Sequence, residues 1–221
     1  RTRIIKFNLI SMPLFNTKSF LRQEQYKALK NLKIDGEILD VGGSKYSGYL
    51  ELIGGNHEVV VGNINPDYGI DVKFDAENLW PFAPDRFSGV LFINLLEHLF
   101  GYQFAVDEAY RVLRSGGRVV GVVPFMFPVH GSPNDYFRFT ASALERILKN
   151  SGFHSVKVEA LGSGAFSVAY HTFIGFVRWN WLVQPLIGLC RLGDRILLRL
   201  KRDHKMSAQF MTLGYYFEAE K

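Results

Sequence analysis

The sequence predicts an α/β domain built on a mainly parallel sheet. Apolar segments of strand length alternate with segments of helical spacing along most of the chain. A glycine pair closes the first predicted strand, as is common where a strand turns into a helix. The 221 residues, 48% of them hydrophobic, are enough for one such domain with a full core.

The first half of the chain supplies three of the strands. Ser19 provides an N-cap, and the apolar residues that follow recur at helical spacing as far as Leu32. The next predicted elements are a strand at Glu37–Val41, a helix at Tyr46–Ile53, and strands at Glu58–Gly62 and Ile70–Phe74.

The second half continues the alternation. Its strands are predicted at Gly89–Asn94, Arg118–Val123, Ser155–Glu159 and Phe210–Glu220. Its helices are predicted at Gln103–Leu113 and Thr140–Asn150, the latter capped by Thr140 and closed by Gly152.

The distribution of charge and the cysteine content exclude several classes of partner and site. Residues 171–205 carry seven Arg and Lys and two Asp, so the whole net charge of +5 lies there. One local basic patch argues against a nucleic-acid partner. The single cysteine, Cys190, excludes disulfides and a Cys-rich zinc site, and fits a cytoplasmic setting. We predict no metal site, and no secretory signal in residues 1–16.

The turn after the first strand carries the strongest chemical signal. Gly42 and Gly43 let the backbone approach a ligand closely, at the strand end where parallel sheets bind ligands. Asp40 could accept a hydrogen bond from a ligand ammonium or from loop amides. A dinucleotide site would need G-x-G-x-x-G, which Gly42, Gly43 and Gly48 do not match. A tight turn without a ligand is the alternative.

Four motifs, in order, resemble those of the class I S-adenosylmethionine-dependent methyltransferases, especially the type 11 branch. They are Ile38-Leu-Asp-Val-Gly-Gly43, Val72-Lys-Phe-Asp-Ala-Glu-Asn-Leu-Trp-Pro-Phe82, Phe87-Ser-Gly-Val-Leu-Phe-Ile-Asn-Leu-Leu-Glu-His98 and Tyr110-Arg-Val-Leu-Arg-Ser-Gly-Gly117. The resemblance implies a Rossmann-like, seven-stranded, mostly parallel sheet with an antiparallel last strand and helices on both faces. It also implies S-adenosylmethionine as cofactor and methyl transfer as activity.

The resemblance assigns cofactor contacts to particular residues. Asp75 would accept from the adenine amino group, and Ala76 would donate its backbone amide. The glycine loop would hold the methionine part, and Asn63 aligns with the acidic residue that binds the ribose. The complete set is Asp40, Gly42, Gly43, Ser44, Asn63, Ile64, Asp75, Ala76 and Asn94.

Two positions depart from the family pattern. Asn63 stands where the family has Asp or Glu, and Ser88 stands where it has Asp. Both changes remove a charge. The alternative function is therefore a cofactor-binding or scaffold protein with a methyltransferase fold and no catalysis.

The segment after the fifth strand should begin the acceptor site. Residues 130–140 resemble a His-x-x-Pro-x-Asp-Tyr-x-Arg-x-Thr signature in part of the type 11 branch. His130 is the candidate base for a hydroxyl acceptor. Asp135, Tyr136 and Arg138 are candidates to shape the pocket or to hold an anionic group. In the alternative interpretation, Asp135 and Arg138 pair to stiffen the loop, and His130 only packs.

A helical insertion at residues 162–208 interrupts the methyltransferase domain, which we place at 34–221 after an N-terminal segment and helix at 1–33. The insertion is too polar for a comfortable membrane span. Trp179 and Trp181 beside Arg178, followed by arginines at helical spacing, suit an interfacial helix on anionic lipid. The alternative is a lid over the acceptor pocket. We therefore expect a small-molecule, glycan or lipid-linked acceptor, methylated on oxygen, and peripheral contact with the inner face of the membrane.

Overall fold

A computed structural model describes residues 19–131, 133–173, 180–200 and 211–221. Its strands are β1 (Gly36–Val41), β2 (His57–Asn63), β3 (Val72–Lys73), β4 (Phe87–Ile93), β5 (Leu113–Pro124), β6 (His154–Ser163) and β7 (Thr212–Glu220). Its helices are α1 (Phe20–Leu29), α2 (Tyr102–Val112), α3 (Ala141–Asn150), α4 (Ala165–Phe173) and α5 (Asn180–Leu200). All seven predicted strands are confirmed.

The strands form one sheet in the order β3-β2-β1-β4-β5-β7-β6. The pairs from β3 to β5 are all parallel. β7 runs antiparallel between β5 and β6, as the resemblance implies for the last strand. The strand order reverses between β1 and β4, and ligands bind at such a point in open α/β sheets.

Side chains alternate across each strand, so the sheet buries an apolar layer on both faces. One face carries α1, α4 and α5, through buried residues that include Phe20, Leu29, Val168 and Ile187. The other carries α2 and α3, through Val106, Ala109, Leu144 and Leu148 among others. Helices on both faces are thus confirmed, and α1 packs directly on the sheet although it precedes the predicted domain start.

The predicted helix at Tyr46–Ile53 is wrong. Only one 3-10 turn, Leu50–Leu52, forms there. Gly48 lies inside the segment and lowers its helix propensity. The segment instead lines a cleft above β1.

The insertion contributes α4 and α5 to the described structure. Buried Asp194 of α5 accepts from the Phe166 and Ser167 amides, both at 2.9 Å, and so caps α4. Arg191 donates to Glu24 of α1 at 2.6 Å. Helix α5 is therefore anchored to the domain. Arg178 and Trp179 lie outside the described residues. No helix in the described ranges has the length and apolarity that a membrane crossing requires.

Candidate active site

A cleft of about 1040 Å³ opens at the carboxyl ends of β1, β2 and β4. It lies where the strand order reverses, and its volume is at the upper limit of the ~300–1,000 Å³ typical of ligand pockets. Eight of the nine predicted cofactor residues line it, namely Gly42, Gly43, Ser44, Asn63, Ile64, Asp75, Ala76 and Asn94. The fold thus brings together residues that are distant in the sequence.

The glycine loop requires its glycines for steric reasons. Gly42 has φ +72°, and a Cβ added there would lie 2.5 Å from Leu95. A Cβ on Gly43 would lie 1.8 Å from a carboxylate oxygen of Asp40. The backbone can therefore pass over the end of β1 only without side chains, which leaves the surface of the loop open to a ligand.

Asp40 is the predicted cofactor residue that the structure places differently. It is fully buried beneath Gly43 and does not line the cleft. The Tyr49 hydroxyl donates to its Oδ2 at 2.8 Å, and Oδ1 has no hydrogen-bond partner among the described residues. Burial raises the pKa of Asp40 to about 7, although the Tyr49 hydrogen bond acts in the opposite direction. Asp40 therefore supports the glycine loop from below and lies outside the lining of the cleft.

The Asn63 amide joins β2 to the glycine loop. Its Nδ2 donates to the Gly43 carbonyl at 2.9 Å, and its Oδ1 accepts from the Asn65 amide at 3.0 Å. An aspartate could not donate the first of these bonds. The neutral side chain is therefore matched to its surroundings and still lines the cleft.

The other departure, Ser88, is remote from the cleft. Its hydroxyl packs against Gly36, at the amino end of β1, whereas the cleft opens at the carboxyl ends. The missing charge at position 88 consequently has no direct effect on the cofactor region.

The cleft also includes residues that the sequence analysis missed. Helix α1 contributes Arg22, Gln25 and Tyr26. Gln25 is buried, and its Nε2 donates to Asn94 Oδ1 at 2.7 Å. Asn94 itself has φ +53°, a conformation that Asn tolerates better than most residues. Arg22, Gln25 and Tyr26 are three and four residues apart and so share one face of α1, and this polar face could have been recognised in the sequence.

At the opposite end of the cleft, His98, Asn134 and Tyr136 line the wall. His98 Nδ1 lies 2.5 Å from the Asn134 carbonyl oxygen. His130, the predicted base, does not line the cleft; its ring packs edge-on to His98 with centroids 5.1 Å apart. His98 was not predicted to line the site, although it belongs to the Leu-Glu-His motif.

Asp135 and Arg138 bind each other and do not line the cleft. Two hydrogen bonds of 2.5 and 2.6 Å join them, and Asp135 also accepts from the His130 amide at 2.9 Å. The Arg138 guanidinium lowers the pKa of Asp135 to about 2. Of the two interpretations, the structure supports the paired, loop-stiffening one for these residues, and Tyr136 alone of the three predicted acceptor residues lines the cleft.

Glu97 lies beneath this loop. Its backbone carbonyl accepts from the Tyr136 amide at 2.8 Å. Its side chain is fully buried, and neither carboxylate oxygen has a hydrogen-bond partner among the described residues. Burial raises the pKa of Glu97 to about 8.

Comparison with known proteins agrees with the methyltransferase motifs found in the sequence. A family model described as a methyltransferase domain matches residues 41–121. A ubiquinone/menaquinone biosynthesis C-methyltransferase from Desulfotalea psychrophila is 30% identical over 135 residues, 52% of this chain and 55% of that protein. This chain is thus similar, over residues 41–121, to a methyltransferase domain, in agreement with the four sequence motifs. It spans about half the length of that curated relative.

Several solved structures share this fold over most of the chain. An S-adenosylmethionine-dependent methyltransferase from Archaeoglobus fulgidus has a TM-score of 0.55 at 20% identity, covering 90% of both chains. Phosphoethanolamine N-methyltransferase 2 from Haemonchus contortus, solved with S-adenosylmethionine, has a TM-score of 0.56 at 16% identity, covering 89% of this chain and 52% of that one. At these identities the likeness establishes the fold.

The four sequence motifs imply S-adenosylmethionine as the ligand of this cleft. The shape and polarity of the residues that line the cleft are compatible with S-adenosylmethionine. The glycine loop leaves room where any Cβ would clash, and Asp75 presents a carboxylate to the cleft while accepting from the Glu77 amide at 2.9 Å. Exposed Ile64 provides an apolar surface beside it.

Proposed function

We propose that this methyltransferase transfers a methyl group from S-adenosylmethionine to an oxygen atom of a small or lipid-linked acceptor. The observation that carries the proposal is that one cleft is lined both by the glycine loop and by His98 and Tyr136. A cofactor and an acceptor could therefore meet in one cavity. When bound, S-adenosylmethionine supplies an electrophilic methyl group.

The protein residues would position the acceptor and exclude water. An acceptor hydroxyl must lose its proton when its oxygen is methylated, and an imidazole is suited to receive it near neutral pH. The acceptor end holds His98 at the wall and His130 behind it. The two imidazoles support oxygen as the methylated atom, although the relatives named above include C- and N-methyltransferases.

Calorimetric titration with S-adenosylhomocysteine tests the cofactor site. We expect micromolar binding to the wild type, weakened at least about tenfold in Asp75→Ala because a hydrogen-bond acceptor for the adenine is lost. Asp67→Ala is the matched control, since Asp67 is exposed and does not line the cleft. Absence of binding to the folded wild-type protein would remove the basis of the proposal.

A cofactor-binding protein without catalysis is the second candidate. The neutral Asn63 favours it, because the family usually has an acid at the ribose position. Transfer of radiolabelled methyl groups to a panel of hydroxyl acceptors separates the two candidates. Turnover that His130→Ala abolishes, with S-adenosylhomocysteine binding intact, supports the enzyme; tight binding without any turnover supports the scaffold.

We also propose that helix α5 contacts the surface of an anionic membrane. Leu189, Leu192 and Ile196 are 63%, 53% and 49% exposed along α5, and exposed Arg195 and Arg199 flank them. Apolar side chains beside cations are typical of helices that lie on anionic lipid. Within the described chain, no residue of α4 or α5 lines the cleft, so a lid role has less support.

Vesicle flotation tests this contact. Binding to phosphatidylglycerol vesicles, and loss of binding when Leu189, Leu192 and Ile196 are replaced by serine, would support it. Leu79→Ser, at an exposed leucine outside α5, is the control. Equal flotation of the triple variant and the wild type would contradict it.

A further inference from the structure

We propose that Glu97, His98 and His130 form a binding site for a divalent transition-metal ion. One ligand atom from each residue lies within 4.8 Å of the other two. Nitrogen and oxygen ligands ~2.1 Å from a tetrahedral ion are ~3.4 Å apart, so a contraction of at most roughly 1.4 Å completes the set. Glu97 and His98 follow β4 and His130 follows β5, and the pairing of these neighbouring strands brings the three together.

The buried carboxylate of Glu97 is the independent observation. Its side chain is 0% exposed, and both oxygens lack a hydrogen-bond partner among the described residues. A buried carboxylate in that state is costly, and a bound cation removes the cost. Oε1 lies 3.8 Å from His98 Nε2, so the carboxylate faces the imidazole. The nearby Arg138 is already paired with Asp135.

Both imidazoles are oriented as metal ligands usually are. His98 Nδ1 lies 2.5 Å from the Asn134 carbonyl oxygen. His130 Nδ1 lies 3.3 Å from the Pro128 carbonyl and 3.3 Å from an Asp135 carboxylate oxygen. When Nδ1–H donates to such an acceptor, the lone pair resides on Nε2, where it can bind a metal.

Two imidazoles and one carboxylate favour a transition metal such as Zn²⁺, Co²⁺, Mn²⁺ or Fe²⁺ over Mg²⁺ or Ca²⁺, which prefer oxygen ligands. His98 also lines the cleft, so the ion would lie at its acceptor end. There it could hold and polarise an acceptor oxygen and so replace an imidazole in promoting loss of the acceptor proton, a role that rests on the proposed function. The binding of the ion itself does not depend on that role.

Calorimetric titration of the chelator-treated chain with Zn²⁺, and separately with Co²⁺, tests the inference. We expect one ion per chain, with affinity reduced at least about tenfold in His98→Ala, His130→Ala and Glu97→Gln. His154→Ala is the matched control, because His154 Nε2 lies 3.9 Å from Glu220 Oε1 in an exposed pair of similar separation. Thermal unfolding provides the second readout, since the ion should raise the Tm of the wild type and the control only.

The inference fails if the wild type binds no ion, or if the three variants bind as tightly as the wild type. Circular dichroism establishes that each variant is folded, and Glu97→Gln keeps the shape of the buried side chain. Titration of the same preparations with S-adenosylhomocysteine separates the two proposals. S-adenosylhomocysteine binding without metal binding overturns the metal site alone, and metal binding without S-adenosylhomocysteine binding overturns the proposed function alone.

Discussion

The buried carboxylate of Asp40 should make the stability of this protein depend on pH in a defined direction. Its pKa is raised from 3.8 to about 7 in the folded state, chiefly by burial. The folded protein therefore holds the proton more tightly than the unfolded chain does. The corresponding stability is fully present below pH 3.8 and is lost as the pH rises through 7. Asp40→Asn removes this loss, and its Oδ1 can still accept from Tyr49.

The magnitude follows from the two pKa values. Each unit of difference is worth 1.36 kcal/mol, so full ionisation of Asp40 costs the folded state about 4 kcal/mol. Between pH 5 and pH 9 the cost grows by about 3 kcal/mol. The stability of Asp40→Asn relative to the wild type should rise by that amount over this range. The raised pKa of Glu97 affects both proteins equally and cancels in the difference.

Urea unfolding at pH 5, 7 and 9, without ligand, measures the difference in the free energy of unfolding. Glu145→Gln is the control, because Glu145 is an exposed carboxylate on α3 and its loss removes the same charge. A difference between Asp40→Asn and the wild type that stays constant within about 0.5 kcal/mol across the range would refute the reasoning.

Two further substitutions probe the loops at either end of the cleft. Gly43→Ala should weaken S-adenosylhomocysteine binding at least about tenfold in calorimetry, because its Cβ would lie 1.8 Å from Asp40, and unchanged affinity would contradict the steric argument. Gly188→Ala is its control, since nothing lies within 4 Å of the added Cβ. Arg138→Ala should lower the free energy of unfolding at pH 7 by about 3–5 kcal/mol, because buried Asp135 loses its partner. A loss below about 1 kcal/mol in urea unfolding would show that the pair is not structural.

The order of the helices and strands could be predicted from the sequence because it depends on local patterns. Period-two and helical spacings, together with the caps at Ser19 and Thr140, place all seven strands and three of the four predicted helices. The prediction for Tyr46–Ile53 was wrong because Gly48 lowers the helix propensity of the segment, which instead lines the cleft. Eight of the nine predicted cofactor residues line the cleft, because they follow successive strands in recognisable motifs.

Only the tertiary structure decided which side chains face the cleft. The sequence identifies Asp40 at the end of a strand, but its burial beneath Gly43 depends on how the chain turns over β1. The signature around His130 left open whether Asp135 and Arg138 bind each other or line the pocket, and it did not indicate that His98 lines the cleft. The pairing of β4 with β5 determines which polar groups lie near one another, and each group then competes for hydrogen-bond partners. Both effects depend on contacts between residues that are distant in the sequence.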